Sequence, residues 1–323
     1  MTILDAIILG IVEGITEYLP VSSTGHLIIT SWLLGLDGDP EQKRAVDAFN
    51  IIIQGGAILA VLGLYRARVG QMIRGILGRD PAGRRLFINL VIAFIPAAVL
   101  GVLLDDLIES HLFRPEPVIA ALFIGGIILL CMRRWQDRLY AAQGKDDKDR
   151  FVDIESLSWK SALTIGFLQC VAMWPGTSRS MMTIVGGMFM GLRPRQAAEF
   201  SFLLGLPTLG GACVYKLGKS ILRDGDGFVT TLGGWTPVLV GILVATFAAA
   251  IAIKWLVEWL GNHGLALFGW WRIAVSLFLA ASIWVFGWFT ITPPPAESPV
   301  AEGASTPPVL VTGEETPSVD EPA

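Results

Sequence analysis

Glu13 and Glu17 stand four residues apart, and on a helix that spacing stacks both carboxylates on one face. Two like charges that close repel each other and raise one pKa unless a cation bridges them or a proton is shared. The pair therefore suits either a divalent-metal platform or a proton-sharing couple. Beyond Pro20, the run Ser22-Ser23-Thr24-Gly25-His26 brings three hydroxyls, a glycine and a histidine set in apolar sequence. Ser or Thr before an apolar run is most simply an N-cap. A helix start in apolar surroundings also presents unpaired N–H groups and a partial positive charge, which together attract an anion. His26, one turn beyond Ser23, is spaced to accept its proton, the relation a nucleophilic hydroxyl needs.

A second break, Pro175-Gly176-Thr177-Ser178-Arg179-Ser180, supplies another helix start and a guanidinium. Arginine holds phosphate oxygens through two parallel hydrogen bonds and stays charged. Gly10 to His26 and Gly166 to Ser180 share a layout: Gly, then Glu or Gln three residues on, a proline, and a hydroxyl cluster. Both stretches lie in apolar sequence, where ionisable groups are costly and mark function. Two anion-seeking helix ends, one arginine, two carboxylates and a Ser/His pair are the parts needed for phosphoryl transfer.

The elements that must position these groups belong to a membrane protein. The chain has 323 residues, 53% hydrophobic and only 16% charged, with a mean hydropathy of +0.61. That balance excludes an ordinary soluble domain. Apolar runs long enough to cross the bilayer, about 20 residues each, cover Asp47–Tyr65, Leu86–Leu104, Pro117–Met132, Ala198–Leu217, Trp235–Trp255 and Leu265–Phe289. Two further regions are broken by proline: Ile3–Leu19 with the stretch to Leu36, and Ala162–Trp174 with Met181–Leu192. Each reads as a re-entrant helical hairpin, since non-helical backbone at membrane depth must be buried in protein or line a wet cavity. Interrupted segments at corresponding positions of two halves point to a shared site.

The expected fold is all-α and polytopic, with about six transmembrane helices plus two re-entrant hairpins in an inverted repeat. The expected membrane domain is residues 1–290, with halves of about 1–132 and 150–290. Arg66–Arg85 carries six arginines against Asp80, and Arg133–Lys160 carries seven Lys or Arg, so both belong in the cytoplasm. The acid-rich Asp105–Glu116 loop then lies outside, and the hairpins enter from opposite faces. The N-terminus has no basic n-region, so the first segment is not expected to be a cleaved signal peptide. Residues 291–323, with six acids and eight prolines, read as a disordered tail.

Other features read as structural. Cys131, Cys170 and Cys213 have neither disulfide nor zinc spacing. Trp255, Trp259, Trp270, Trp271, Trp284 and Trp288 read as an interfacial aromatic belt. His111 and His263 read as loop residues, and Lys145–Arg150 as a solvated charge run. There is no nucleic-acid patch.

The segment Glu13-Gly-Ile-Thr-Glu17-Tyr-Leu-Pro20-Val-Ser-Ser-Thr-Gly-His26, with Pro175-Gly-Thr-Ser-Arg179-Ser180, resembles the two signature motifs of the undecaprenyl-diphosphate phosphatase family, the integral-membrane bacitracin-resistance type. The resemblance runs from Met1 to Phe289 and includes Ile53-Gln54-Gly55. It implies a hydrolase that recycles the lipid carrier for peptidoglycan and other cell-wall synthesis and confers bacitracin resistance. It places Glu13 and Glu17 at a divalent cation, Mg²⁺ or Ca²⁺, with Ser23 as nucleophile, His26 as its base or proton relay and Arg179 gripping the diphosphate. Ser22, Thr24, Gly25, Gln54, Gly176, Thr177, Ser178 and Ser180 fall among the expected substrate-binding residues. The family's arginine motif commonly continues Ser-Gly, whereas Met181 and Met182 follow Ser180 here.

The implied location is the bacterial cytoplasmic (inner) membrane, with the site facing the periplasmic side. Implied partners are a polyprenyl diphosphate lipid and the bilayer, with a homodimer left open. Attack by serine, by histidine or by water all use these residues. A lipid-phosphate transporter or flippase on the same scaffold is the rival reading, because broken helices in inverted repeats are a common transporter design. A purely structural scaffold would leave Glu13, Glu17 and Arg179 without purpose.

Overall fold

The computed structural model describes residues 1–112, 114–143, 151–224 and 227–285, all within one compact unit. The acidic tail, Trp288 and the charge run Lys145–Arg150 lie outside the described residues. Regular structure among the described residues is helical, apart from one isolated parallel bridge between Val152 and Leu192. The first half contains α1 (Ile3–Thr16), α2 (Ser23–Leu33), α3 (Pro40–Leu64), α4 (Arg66–Ile76), α5 (Pro81–Leu112) and α6 (Pro115–Gln143). The second half contains a 3-10 turn (Ile154–Ser156), α7 (Trp159–Val171), α8 (Arg179–Phe189), α9 (Pro194–Asp224), α10 (Gly227–Thr231), α11 (Trp235–Asn262) and α12 (Ala266–Trp284).

Six helices, α3, α5, α6, α9, α11 and α12, are long and apolar enough to cross a membrane. The chain is a multi-pass membrane protein. Local chemistry sets the helix starts: Thr2 and Asp5 close a capping box on α1, and Asp39 caps α3 with Pro40 in its first turn. Two stretches expected as loops are largely helical. Asp105–Glu116 holds no helix breaker before Pro115, so α5 continues through His111 to Leu112 and α6 restarts at that proline. Arg66–Ile76 forms α4, which packs on α5.

The halves repeat one order of elements: two short helices, a long one, a short one, then two long ones. Their packing is exchanged, with α1 lying on α11 of the other half and α7 on α5. Backbone contact makes both pairings possible. A Cβ on Gly10 would sit 2.8 Å from the Gly241 carbonyl oxygen on α11, and one on Gly166 would sit 2.5 Å from that of Ala93 on α5. Small residues allow such close approach between membrane helices.

Each hairpin begins and ends at its own end of the bundle. Arg68 on α4 pairs with Glu155 and, at 2.6 Å, with Glu199 near the start of α9, so these connections share one end. Val152 and Leu192, flanking the second hairpin, meet there too. At the other end, Thr231 bonds Glu41 at 3.4 Å. Met1 lies against Gly233, and Leu36 clusters with Val229 and Leu232. The first hairpin therefore starts and finishes opposite the second.

Arg272 on α12 ties the two hairpin turns together. Its guanidinium is fully buried and donates to the carbonyls of Pro20 (3.4 Å) in the first turn and Gly176 (2.8 Å) in the second, and to Ala121 (3.0 Å) and Leu122 (3.3 Å) on α6. Gly125 leaves room for it, since a Cβ there would fall 2.2 Å from Nη2.

Two stability predictions follow from this packing. Gly166→Leu forces α7 off α5, and overpacking of this kind costs about 1–3 kcal/mol or more, so the thermal midpoint in detergent should drop by several degrees. Arg272→Met should do the same by stranding the Pro20 and Gly176 carbonyls, at about 1–3 kcal/mol for each buried group left unpaired. Arg272→Lys, which keeps a donor, should lose less.

Candidate active site

The two turns converge. Glu17, the residue after α1, lies between the first residues of α2 and α8: Ser23 Oγ donates to Oε2 at 2.7 Å, and Arg179 Nη2 donates to Oε1 at 3.1 Å. The ion pair is shielded, with the Arg179 and Glu17 side chains 10% and 6% exposed. Arg179 also donates Nη1–H to the Ser201 carbonyl on α9 at 2.9 Å and lies over the Tyr18 ring, 5.6 Å from its centroid. Tyr18 is buried edge-on against Phe202 at 5.2 Å. A charge so held has few rotamers open to it, which favours a preorganised site.

The same local device sets both helix starts. Ser22 and Ser178, the residues before α2 and α8, have φ of 75° and 76° with ψ of 100° and 114°. Non-glycine residues avoid this region, and holding one there costs on the order of 1–3 kcal/mol, as strained functional turns do. Ser178 Oγ accepts from Met181 N–H at 3.3 Å, a regular cap. Ser22 makes no such cap; its carbonyl instead receives His26 Nδ1 at 2.8 Å. Met181 and Met182 continue α8 as ordinary buried helix residues, so this backbone needs no glycine after Ser180.

The expected residues divide between the centre and its frame. Glu13 is fully buried one turn before Glu17, and both of its carboxylate oxygens are without a hydrogen-bond partner. Ser180 is also fully buried; its hydroxyl donates to the Leu19 carbonyl at 2.9 Å and joins Ser178 Oγ at 3.0 Å, clasping the hairpins together. The Gly176 carbonyl is taken by Arg272, and Thr177 N–H closes the turn onto Trp174 at 3.1 Å. Gly25 packs on Leu122, and Thr24 is half-buried beside it on α2. Gln54 on α3 faces α9, where Cys213 Sγ lies 3.8 Å from Oε1.

His26 sits differently from the sequence expectation. Its ring is held by the Ser22 carbonyl at Nδ1 and by Trp271 Nε1–H at Nε2, 2.8 Å each. The Ser23 hydroxyl points to Glu17 instead. Trp271, half exposed on α12, stacks beside His26. Spacing along one helix shows that Ser23 and His26 are a turn apart, but it cannot show that a third helix engages the imidazole.

The sequence did not single out Arg272 or Ser201, and it offered Tyr18 and Trp271 no part in the site. Arg272 carried a usable signal, because an arginine inside the apolar run Leu265–Phe289 is as costly as Arg179 inside its own. Among the described residues, no group of three or more His, Cys, Asp or Glu side chains is arranged to hold a metal ion. Glu13 and Glu17 can supply two carboxylates. Mg²⁺ typically takes one or two, with water and phosphate oxygens completing its shell.

The sequence agrees with known proteins over nearly the whole described region. The family described as bacitracin resistance protein BacA matches residues 6–278. An undecaprenyl-diphosphatase of Pseudomonas putida is 44% identical over 289 residues, 89% of this chain and 95% of that protein. Undecaprenyl-diphosphatase 1 of Pseudomonas fluorescens is 45% identical over 287 residues, 89% and 96% of the two chains, and the undecaprenyl-diphosphatase of Sorangium cellulosum is 43% identical over 272 residues, 84% and 83%. With the family match running from α1 into α12, the chain belongs to the BacA family of bacitracin resistance proteins.

Proposed function

We propose that this chain hydrolyses undecaprenyl diphosphate to the monophosphate and inorganic phosphate, as the names of its relatives indicate for them. The observation that carries the reading is the Ser23–Glu17–Arg179 constellation, in which a hydroxyl, a proton acceptor and a phosphate-binding guanidinium meet at two helix starts. Arg179, held in place by the Ser201 carbonyl and Tyr18, has a buried Nε–H without a partner that can take a terminal phosphate oxygen while Glu17 acts as base. Ser23 Oγ then attacks the terminal phosphorus and passes its proton to Glu17, the acceptor already within hydrogen-bond reach. The bond from phosphorus to the bridging oxygen breaks, and the lipid leaves as its monophosphate. Water releases the phosphoryl group from Ser23. Direct attack by water held at Glu17 uses the same groups.

The carboxylate pair favours a cation. The unpartnered oxygens of Glu13 suit a positive ligand. A divalent cation, Mg²⁺ or Ca²⁺, held by Glu13 and Glu17 would neutralise phosphate charge. The expected setting is the bacterial inner membrane, with the arginine-rich end of the bundle in the cytoplasm and the halves related as an inverted repeat. Supporting an outward-facing site, the second hairpin enters from that end yet reaches the opposite one, where Trp174 donates to the Pro117 carbonyl near the start of α6 at 3.0 Å.

Phosphate release from a long-chain polyprenyl diphosphate by the purified protein in detergent tests the reading. Glu17→Gln and Ser23→Ala should lower kcat by roughly 10²–10⁴-fold, and Arg179→Ala by about 10³-fold or more. EDTA should stop release, and added Mg²⁺ or Ca²⁺ should restore it. Turnover unchanged in all three variants would remove the proposed centre. Wild type that releases no phosphate yet moves the lipid between leaflets would establish a transporter.

A further inference from the structure

His26 is half-buried beside the site, yet its two ring nitrogens face away from the Ser23–Glu17 hydrogen bond. Trp271 Nε1–H lies 2.8 Å from His26 Nε2, with the indole and imidazole planes within 9° of parallel. An indole N–H can only donate. His26 Nε2 must therefore be the bare nitrogen, and Nδ1 must carry the proton that meets the Ser22 carbonyl at 2.8 Å.

That carbonyl belongs to a residue whose φ of 75° the chain does not adopt readily, and Ser23 comes next. A chain of contacts therefore runs from α12 into the centre. Trp271 fixes the imidazole tautomer, the imidazole holds the Ser22 carbonyl, and the Ser22 conformation aims Ser23 at Glu17. The adjacent Arg272 secures Pro20, two residues before Ser22, from the same helix.

We propose that Trp271 is a positioning residue for the Ser23 nucleophile, acting by holding His26 neutral with its proton on Nδ1. The inference rests on the phosphatase reading of the site. It assigns His26 the task of shaping the turn, with Glu17 taking the Ser23 proton. Protonation of His26 would set an imidazolium N–H against the indole N–H and break the clasp, so the clasp makes turnover fall in acid. Among the described residues, the charged group that acts on the imidazole is Arg272, next to Trp271 on α12; the α6 stretch Val118–Met132 carries no charged side chain.

Trp271→Phe keeps an aromatic ring and removes the donor. The full-length protein, labelled with ¹⁵N-histidine in detergent, is compared with this variant, and His26→Ala identifies the His26 signals among those of the three histidines. Wild type should show a protonated Nδ1 and a bare Nε2, whereas Trp271→Phe should mix the tautomers. In the phosphate-release assay the variant should lose about tenfold in kcat at neutral pH with KM nearly unchanged, and the gap to wild type should narrow in acid, where His26 carries a proton on Nδ1 with or without Trp271. Trp271→Tyr, which offers an O–H donor, should recover part of the loss. A wild-type His26 protonated on Nε2, or a Trp271→Phe protein with unaltered tautomer, kcat and pH profile, would overturn the proposal. If wild type released no phosphate at all, the functional reading would fail, while the ¹⁵N spectra would still decide whether Trp271 sets the tautomer.

Discussion

The buried Glu17–Arg179 pair constrains everything around it. A carboxylate and a guanidinium taken out of water each carry a desolvation penalty that only close geometry and further hydrogen bonds can offset. Glu17 obtains these from Ser23 as well as Arg179, and Arg179 from the Ser201 carbonyl and the face of Tyr18. Because the partners come from the α1–α2 and α7–α8 connections, the pair fixes how closely the two approach. Loss of either charge leaves the other buried, so the interaction binds the fold to the chemistry.

The surrounding bundle is organised to let two broken helices meet. Gly10 and Gly166 allow each hairpin to lie against the backbone of a long helix from the other half. Ser22 and Ser178 take up matching strained conformations that start α2 and α8 where Ser23 and Arg179 are needed. Arg272 then occupies the space left by Gly125 and saturates carbonyls that the turns leave over. Ser23 and Arg179, the first residues of α2 and α8, are thus equivalent positions of one repeated motif, specialised by side chain.

Much of this was legible beforehand because bilayer physics writes itself into composition. Six apolar runs appear as six long helices, and Pro20 and Pro175 mark the breaks between α1 and α2 and between α7 and α8. Loops were read less well. Arg66–Ile76 is helical because its amphipathic pattern packs on α5, a contact that charge counting ignores. The Ser23–His26 pair shows the same gap at the site, since one-turn spacing suggests a proton relay while Trp271, remote in sequence, claims the imidazole.

What the amino-acid sequence determined by itself was the cost: Glu13, Glu17, His26 and Arg179 in apolar surroundings demanded a shared polar centre, and the motifs around them demanded a phosphate. Only the tertiary structure decided which partner each group takes. Hydrogen bonds at 2.7 and 3.1 Å join Glu17 to Ser23, six residues away, and to Arg179, 162 residues away. Their pairing depends on how helices cross, a property of packing that no local spacing encodes.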